Sequence, residues 1–271
     1  ANSGTTTINL SLGNVVKFTQ TSNTTVSFAN TGTSNIVTFI RPGADYTITW
    51  PSTIKWDGGS APTLNTASGG RSVAMGIVTT ASGSYSTAMG VETTASGYTS
   101  TAMGFLTTAS GYASTAMGVE TIAVGGSSTA MGVETIASGS RSTAMGNVTT
   151  ASGESSTAMG DNTLASGNFS TAMGYSTTAS GQLSTALGHT TTASGINSTA
   201  IGYRATASDY SSLVLGQWNL AGSTVTSSAD QFSLDNTALV IGNGVDGNNR
   251  SDALVVKFNG DATLAGNLNI N

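Results

Sequence analysis

An all-β solenoid is the fold class this sequence predicts, and three observations predict it. Methionine recurs at a spacing of fourteen residues, glycine follows each one, and an Ala-Ser-Gly register runs half a repeat away. Self-similarity at a fixed period marks a chain that stacks one unit many times. The eight methionines are Met75, Met89, Met103, Met117, Met131, Met145, Met159 and Met173, and Leu187, Ile201 and Leu215 continue the series. The second register runs from Ala67-Ser68-Gly69 to Ala193-Ser194-Gly195, with departures at Ala123-Val124-Gly125 and Ala207-Ser208-Asp209. The unit is Ser-Thr-Ala-Met-Gly-x-x-Thr-Thr-Ala-Ser-Gly-x-x, and it divides the chain into residues 1–65, 66–216 and 217–271.

Residues 1–65 do not repeat. Val15–Thr19, Thr25–Phe28, Ile36–Ile40 and Tyr46–Trp50 read as strands between Asn, Ser, Thr and Gly turns, which makes a small β domain. The segment from Ile48 through Trp50-Pro51, Trp56-Asp57-Gly58-Gly59 and Pro62 to Leu64 resembles a module common in phage tail-fibre proteins. Trp50 and Trp56 read either as core or interface aromatics or as a platform for a sugar.

Residues 66–216 predict about eleven coils, each of two short strands and two tight turns. Glycine supplies turn backbone that residues with a Cβ resist, and Ser, Thr and Val around Ala-Met suit a strand of about five residues. A helical repeat is disfavoured, since glycine every seven residues costs about 1 kcal/mol each. Coils stacked at about 4.8 Å make a rod of roughly 50 Å.

Strand alternation sorts the side chains. Ser86, Ala88 and Gly90 share one face, Thr87 and Met89 the other, while Thr79 and Ala81 share a face of the second strand. Alanine fits the narrow interior. The methionine series with Leu187, Ile201 and Leu215 is then read as a column buried between chains, because monomers avoid long apolar stripes. Three chains about an axis are the simplest closed rod. The alternative places Met inside the coil and the Ala rows outside.

The repeat is similar to the head repeat of the trimeric autotransporter adhesins, the YadA-like head, whose signature is Asn-Ser-Val-Ala-Ile-Gly followed by Ala-x-Gly. Asn197-Ser198-Thr199-Ala200-Ile201-Gly202 and Ser72-Val73-Ala74-Met75-Gly76 carry the likeness, with Met in place of Ile in most coils. The resemblance implies a trimeric left-handed parallel β-roll.

In residues 217–271, Ala238–Gly244, Asn249–Val256 and Asn259–Leu264 read as short strands with Asn, Gly and Asp turns, expected as hairpins rather than coils. The block looks like the region preceding the self-cleaving intramolecular chaperone of phage tail fibres and tailspikes. That likeness makes Asn271 a processed end; a plain end of the stretch is the other reading.

Composition excludes several functions. Charged residues are 8% of the chain and the net charge is −5, so no nucleic-acid partner is expected. Without Cys there is no thiolate metal site or disulfide, and a histidine-based site or catalytic triad rests on His189 alone. Neither a metal nor a cofactor is expected. No membrane insertion is expected, since no run of about eighteen apolar residues occurs. Ala1–Thr7 does not read as a signal peptide.

His189 occupies a slot that elsewhere holds Ile77, Val91, Phe105 or Asn147, which suits packing rather than catalysis. Glu92, Glu120 and Glu134 share the next slot and read as a solvated edge; a glycosidase would need a second acid across a cleft. Among the variable pairs, Tyr98 and Tyr112 either stack between rungs or help to bind glycans.

The expected protein is no enzyme. It is a homotrimeric fibre of a phage or phage-like tail, in the virion tail, holding a tail or baseplate protein through its N-terminal side. Its far end would bind a bacterial surface glycan or outer-membrane receptor through Trp218, Asn243, Asp246, Asn248, Asn249 and Arg250. The alternative is the head of a bacterial trimeric autotransporter adhesin on the cell surface. An ice-binding solenoid is a third reading, from the Thr79-Thr80 and Thr93-Thr94 ranks, which Ile122, Ile136 and Leu164 interrupt.

Overall fold

The computed structural model describes residues 66–220 and 228–266, and the backbone of five strands between residues 4 and 49. Those five are β1 (Gly4–Asn9), β2 (Val15–Thr19), β3 (Thr24–Ala29), β4 (Ile36–Ile40) and β5 (Ile48–Thr49). β1, β3 and β5 pair in parallel, and so do β2 and β4. Gly4 aligns with Thr24 and Val15 with Ile36, so the chain returns to each ladder after about one further strand. Sequence reading missed β1, whose Gly-Thr-Thr-Thr-Ile-Asn lacks an apolar alternation. Trp50, Trp56 and Asn271 lie outside the described residues.

From residue 66 the chain is a parallel β-solenoid. Two-residue strands, from β6 (Thr66–Ala67) to β26 (Thr206–Ala207), alternate with five-residue strands, from β7 (Val73–Ile77) to β27 (Leu213–Gln217). The short strands form one eleven-stranded sheet and the long strands build the other. Register is strict: Thr101, Ala102, Met103, Gly104 and Phe105 lie over Thr87, Ala88, Met89, Gly90 and Val91. A one-residue slip would turn the alanines out, so burial enforces that register.

The interior is thin. Ala81 and Ala88, with their equivalents up to Ala193 and Ala200, are 0% exposed and form the core with buried Thr and Ser. Ser100, Ser114 and Ser156 donate their hydroxyls to the carbonyls of Gly97, Gly111 and Gly153, satisfying acceptors at the corner. Alanine lies inside the roll and Met outside it.

The corners differ from the sequence expectation. Besides the long-strand glycines, such as Gly90 and Gly104 at φ 129°, the residues at positive φ are the second member of each variable pair, every seven residues: Tyr85 at φ 60°, Glu92 at 54°, Thr99 at 55°, Leu106 at 54°. A non-glycine residue there costs about 1–2 kcal/mol. Each gains a backbone hydrogen bond to the rung before, as in Tyr85 N–H to Gly70 O and Glu92 N–H to Ile77 O, both 2.8 Å. Glycine is needed for contact between rungs. A Cβ on Gly83 would lie 2.0 Å from Gly97 O, and one on Gly90 (φ 129°) would lie 1.9 Å from Gly104 O.

The far end departs from a set of hairpins. β28 (Thr237–Asn243) pairs in parallel with β27, placing Ile241 over Leu215, and so adds a rung to the long-strand sheet. Only then do β29 (Asp252–Lys257) and β30 (Ala262–Leu264) follow antiparallel. The signal was present in the likeness of Leu239-Val240-Ile241-Gly242 to Leu213-Val214-Leu215-Gly216, but the longer spacing hid it. Among the described residues the short-strand sheet gains no such rung. Instead the buried Asn219 side chain accepts the Thr206 N–H at 2.8 Å and donates to the Thr206 carbonyl at 3.0 Å, as a further strand would.

Candidate functional site

Three features of the surface carry candidate function. The first is the outward column on the long strands. Met75, Met89 and Met173 are exposed and Ile201 with them, while Met103, Met117, Met131, Met145, Met159, Leu187 and Leu215 are half-buried by their neighbours within the one chain. The register stacks them one above another, and Ile241 extends the column past its sequence-predicted end. In the lower coils Ile77, Val91, Phe105, Val119 and Val133 form a second apolar rank two residues on. The surface is therefore a continuous apolar stripe along a rod with few charges.

The second feature is the cluster at the far end. Trp218 (φ 44°) follows the last five-residue coil strand, and the Arg204 and Arg250 guanidiniums lie 4.6 and 4.9 Å from its ring centroid. Arg250 also donates to the Asn219 carbonyl at 3.1 Å. The backbone after β28 folds over the indole: a Cβ on Gly244 would lie 2.3 Å from Trp218 O, and one on Gly247 3.3 Å from its ring. Asp246 closes a turn, accepting the Asn248 and Asn249 N–H groups and the Asn249 side-chain amide. That amide, then the two backbone N–H groups, hold the Asp246 carboxyl below its ordinary value. Asn243 accepts from the Ser251 hydroxyl at 2.7 Å. The six sequence-predicted residues thus lie on one loop-and-corner assembly. Trp218 and Arg250 make its base, and Asn243, Asp246, Asn248 and Asn249 its exposed part.

The third feature is a pair of aromatic ladders that strand register creates. On one corner, Tyr175, His189 and Tyr203 stack with centroids 4.7 and 4.9 Å apart, and Trp218 meets Tyr203 edge-on at 5.7 Å. His189 therefore sits between two tyrosine rings, with Nδ1 2.9 Å from the Thr190 hydroxyl. On the other corner Tyr98 and Tyr112 stack at 5.4 Å and 6°, with Tyr85 edge-on below. Glu92, Glu120 and Glu134 are exposed. Among the described residues no group of His, Cys, Asp or Glu gathers as metal ligands, and no helix is long and apolar enough to cross a membrane.

This geometry agrees with a comparison against known families. A model of the YadA head domain repeat, two copies to a unit, matches residues 67–93, 95–121, 122–148, 151–177, 179–205 and 193–217, which is just over half of the chain. The chain belongs to the YadA head-repeat family. Its YadA-type coils are those in which Ala faces in and Met, Leu or Ile faces out. The matched residues end at 217, so the Trp218 cluster, apart from Arg204, lies beyond the YadA repeats. No curated protein matches the chain.

Proposed function

We propose that the chain is the rigid, receptor-binding part of a phage or phage-like tail fibre, assembled as a homotrimer that attaches to a bacterial surface. The observation that carries this reading is the Met75–Leu215 column, an apolar stripe the length of the roll that one chain leaves open. Burying a methionine is worth about 1.5–3 kcal/mol, so closing eleven rungs between chains is a large driving force. Three copies of one weak site would then act together, and avidity exceeds single-site affinity when geometry lets all engage.

The likeness of residues 48–64 to a tail-fibre module, and of 217–271 to the region before a removable chaperone, supports the tail over the bacterial cell surface. The reading includes a tail or baseplate protein at the N-terminal side and a glycan or outer-membrane receptor at the Trp218 cluster. Its role is binding and not catalysis: the lone histidine is taken up in a ring stack. The alternative is the head of a bacterial trimeric autotransporter adhesin, favoured by the family match itself. Antibody raised against residues 66–216 separates the two. Labelling of fibres on purified tail particles is expected; labelling confined to a bacterial outer membrane selects the adhesin.

A further inference from the structure

The stack of rings on the Tyr98 corner stops abruptly. Tyr98 and Tyr112 hold the same place on successive rungs, with Tyr85, one residue over on the rung below, meeting Tyr98 edge-on, and the next rung at the place of Tyr112 is Gly126. One face of the Tyr112 ring is covered by Tyr98, and among the described residues no ring meets the other. Tyr112 is 62% exposed against 47% for Tyr98. Gly126 does not need to be glycine for packing. A Cβ built there meets only the Ser140 hydroxyl, at 3.9 Å, and its φ is ordinary. The missing side chain leaves a notch one rung deep, floored by Gly126 and Ser127. The Ser127 N–H, bonded to the Tyr112 carbonyl at 2.6 Å, ties the floor to the backbone of the rung that carries the ring. The upper wall is Ser140 and Arg141, with Arg141 ion-paired to Glu154.

We propose that this notch is a carbohydrate-binding site that takes one pyranose ring of a surface glycan on the open face of Tyr112. The apolar face of the sugar lies on the ring at the spacing an aromatic neighbour would have. Two rungs, roughly 10 Å, separate Tyr112 from Ser140, which leaves room for a single ring layer. The rim supplies what ring hydroxyls need: the Ser127 and Ser140 hydroxyls and the exposed Arg141–Glu154 pair, which offer donors and acceptors together. An aromatic side chain of a protein partner would stack as well but would leave that rim unused. The site lies within the matched repeats, away from the Trp218 cluster, and does not depend on which particle carries the fibre.

The test uses the full chain, fluorescently labelled, on an array of immobilised oligosaccharides built from hexopyranose and N-acetylhexosamine units, with a peptide array alongside. Wild type is expected to be retained on a subset of the glycans. Tyr112→Ala and Gly126→Tyr should each weaken that retention by about two- to tenfold, the scale of one lost stacking contact. Gly126→Tyr keeps the fold, since Tyr98, Tyr112 and Tyr210 occupy the same place in other coils. Its unchanged melting temperature and solution mass show that only the notch has been filled. No glycan retention by wild type, equal retention by Gly126→Tyr, or retention on peptides alone would overturn the inference. The fibre reading survives such a result, because solution mass and particle labelling test it separately.

Discussion

Asp209 accepts the backbone N–H of Thr237 through Oδ2 at 2.8 Å, and it stands where ten coils from Gly69 to Gly195 carry glycine. The two facts have one cause. In each coil that glycine lies against the carbonyl of the next rung, as Gly195 lies under Asp209 O, where a Cβ would approach to 2.2 Å. Among the described residues the short-strand sheet adds no rung after Asp209, so a side chain is allowed, and it is used to fasten β28. Replacing Asp209 with Gly should cost about 1.5–3 kcal/mol, the usual worth of a hydrogen bond to a charged group. Hydrogen exchange should quicken at Thr237–Asn243 while the coils below Gly195 keep their protection.

Asn219 does for the Thr206 backbone what Asp209 does for Thr237. Asn219→Ala leaves the last short strand without that cap, at a cost of about 1–3 kcal/mol for buried polar groups that lose their partner. Amide exchange is expected to rise at Thr206 and Ala207 and to fade toward the middle of the roll. Even protection along the whole short-strand sheet would count against the cap.

Two glycines in neighbouring coils should respond in opposite ways. Gly104→Ala sets a Cβ 1.9 Å from Gly118 O at φ 129°, so the rungs must part; the denaturation midpoint should drop steeply. Gly126→Ala meets only the Ser140 hydroxyl at 3.9 Å and should stay within about 0.5 kcal/mol of wild type. Equal midpoints for the two variants would show that rung contact does not hold the roll together.

Asp246 sets a pH limit on its own turn. Its carboxyl is held below the ordinary value of 3.8 by the Asn249 amide first and by two backbone N–H groups after it. A carboxyl depressed in the folded state contributes fully above its unfolded value and loses that contribution as the pH falls through the folded one. The amide resonances of Asn248 and Asn249 should thus hold steady from neutral pH down to about the ordinary carboxylate value. They should shift only below it, and Asp246→Asn should abolish the shift.

Much of this architecture was legible because the repeat states it ten or more times. Alternation puts Ala88 and Met89 on opposite faces, and the narrowness of the coil, rather than alternation, decides that Ala88 is the inward one. The corners were not legible. Tyr85, Glu92, Thr99 and Leu106 all take the left-handed conformation, so residue type carries no signal there and rung-to-rung hydrogen bonds decide it. Glycines of the Gly83 type are required by inter-rung contact rather than by a special φ, whereas those of the Gly90 type meet both that contact and the positive φ that glycine tolerates. Ile241 escaped notice because the residues between Leu215 and β28 break the period. At the far end, Trp218 and Arg250 are named by sequence as receptor contacts, but their packing on each other was not legible, because only the fold brings an indole face and a guanidinium together.

The central claim is that the Met75–Leu215 column is the seam of a trimer. Met117→Glu with Met131→Glu places two charges in that seam, and intact trimers in this variant would refute it. The most direct measurement is the solution mass of the purified wild-type chain by light scattering. A mass three times the 26.9 kDa of one chain is predicted, falling to one third in the double variant. A stable wild-type monomer would contradict the account.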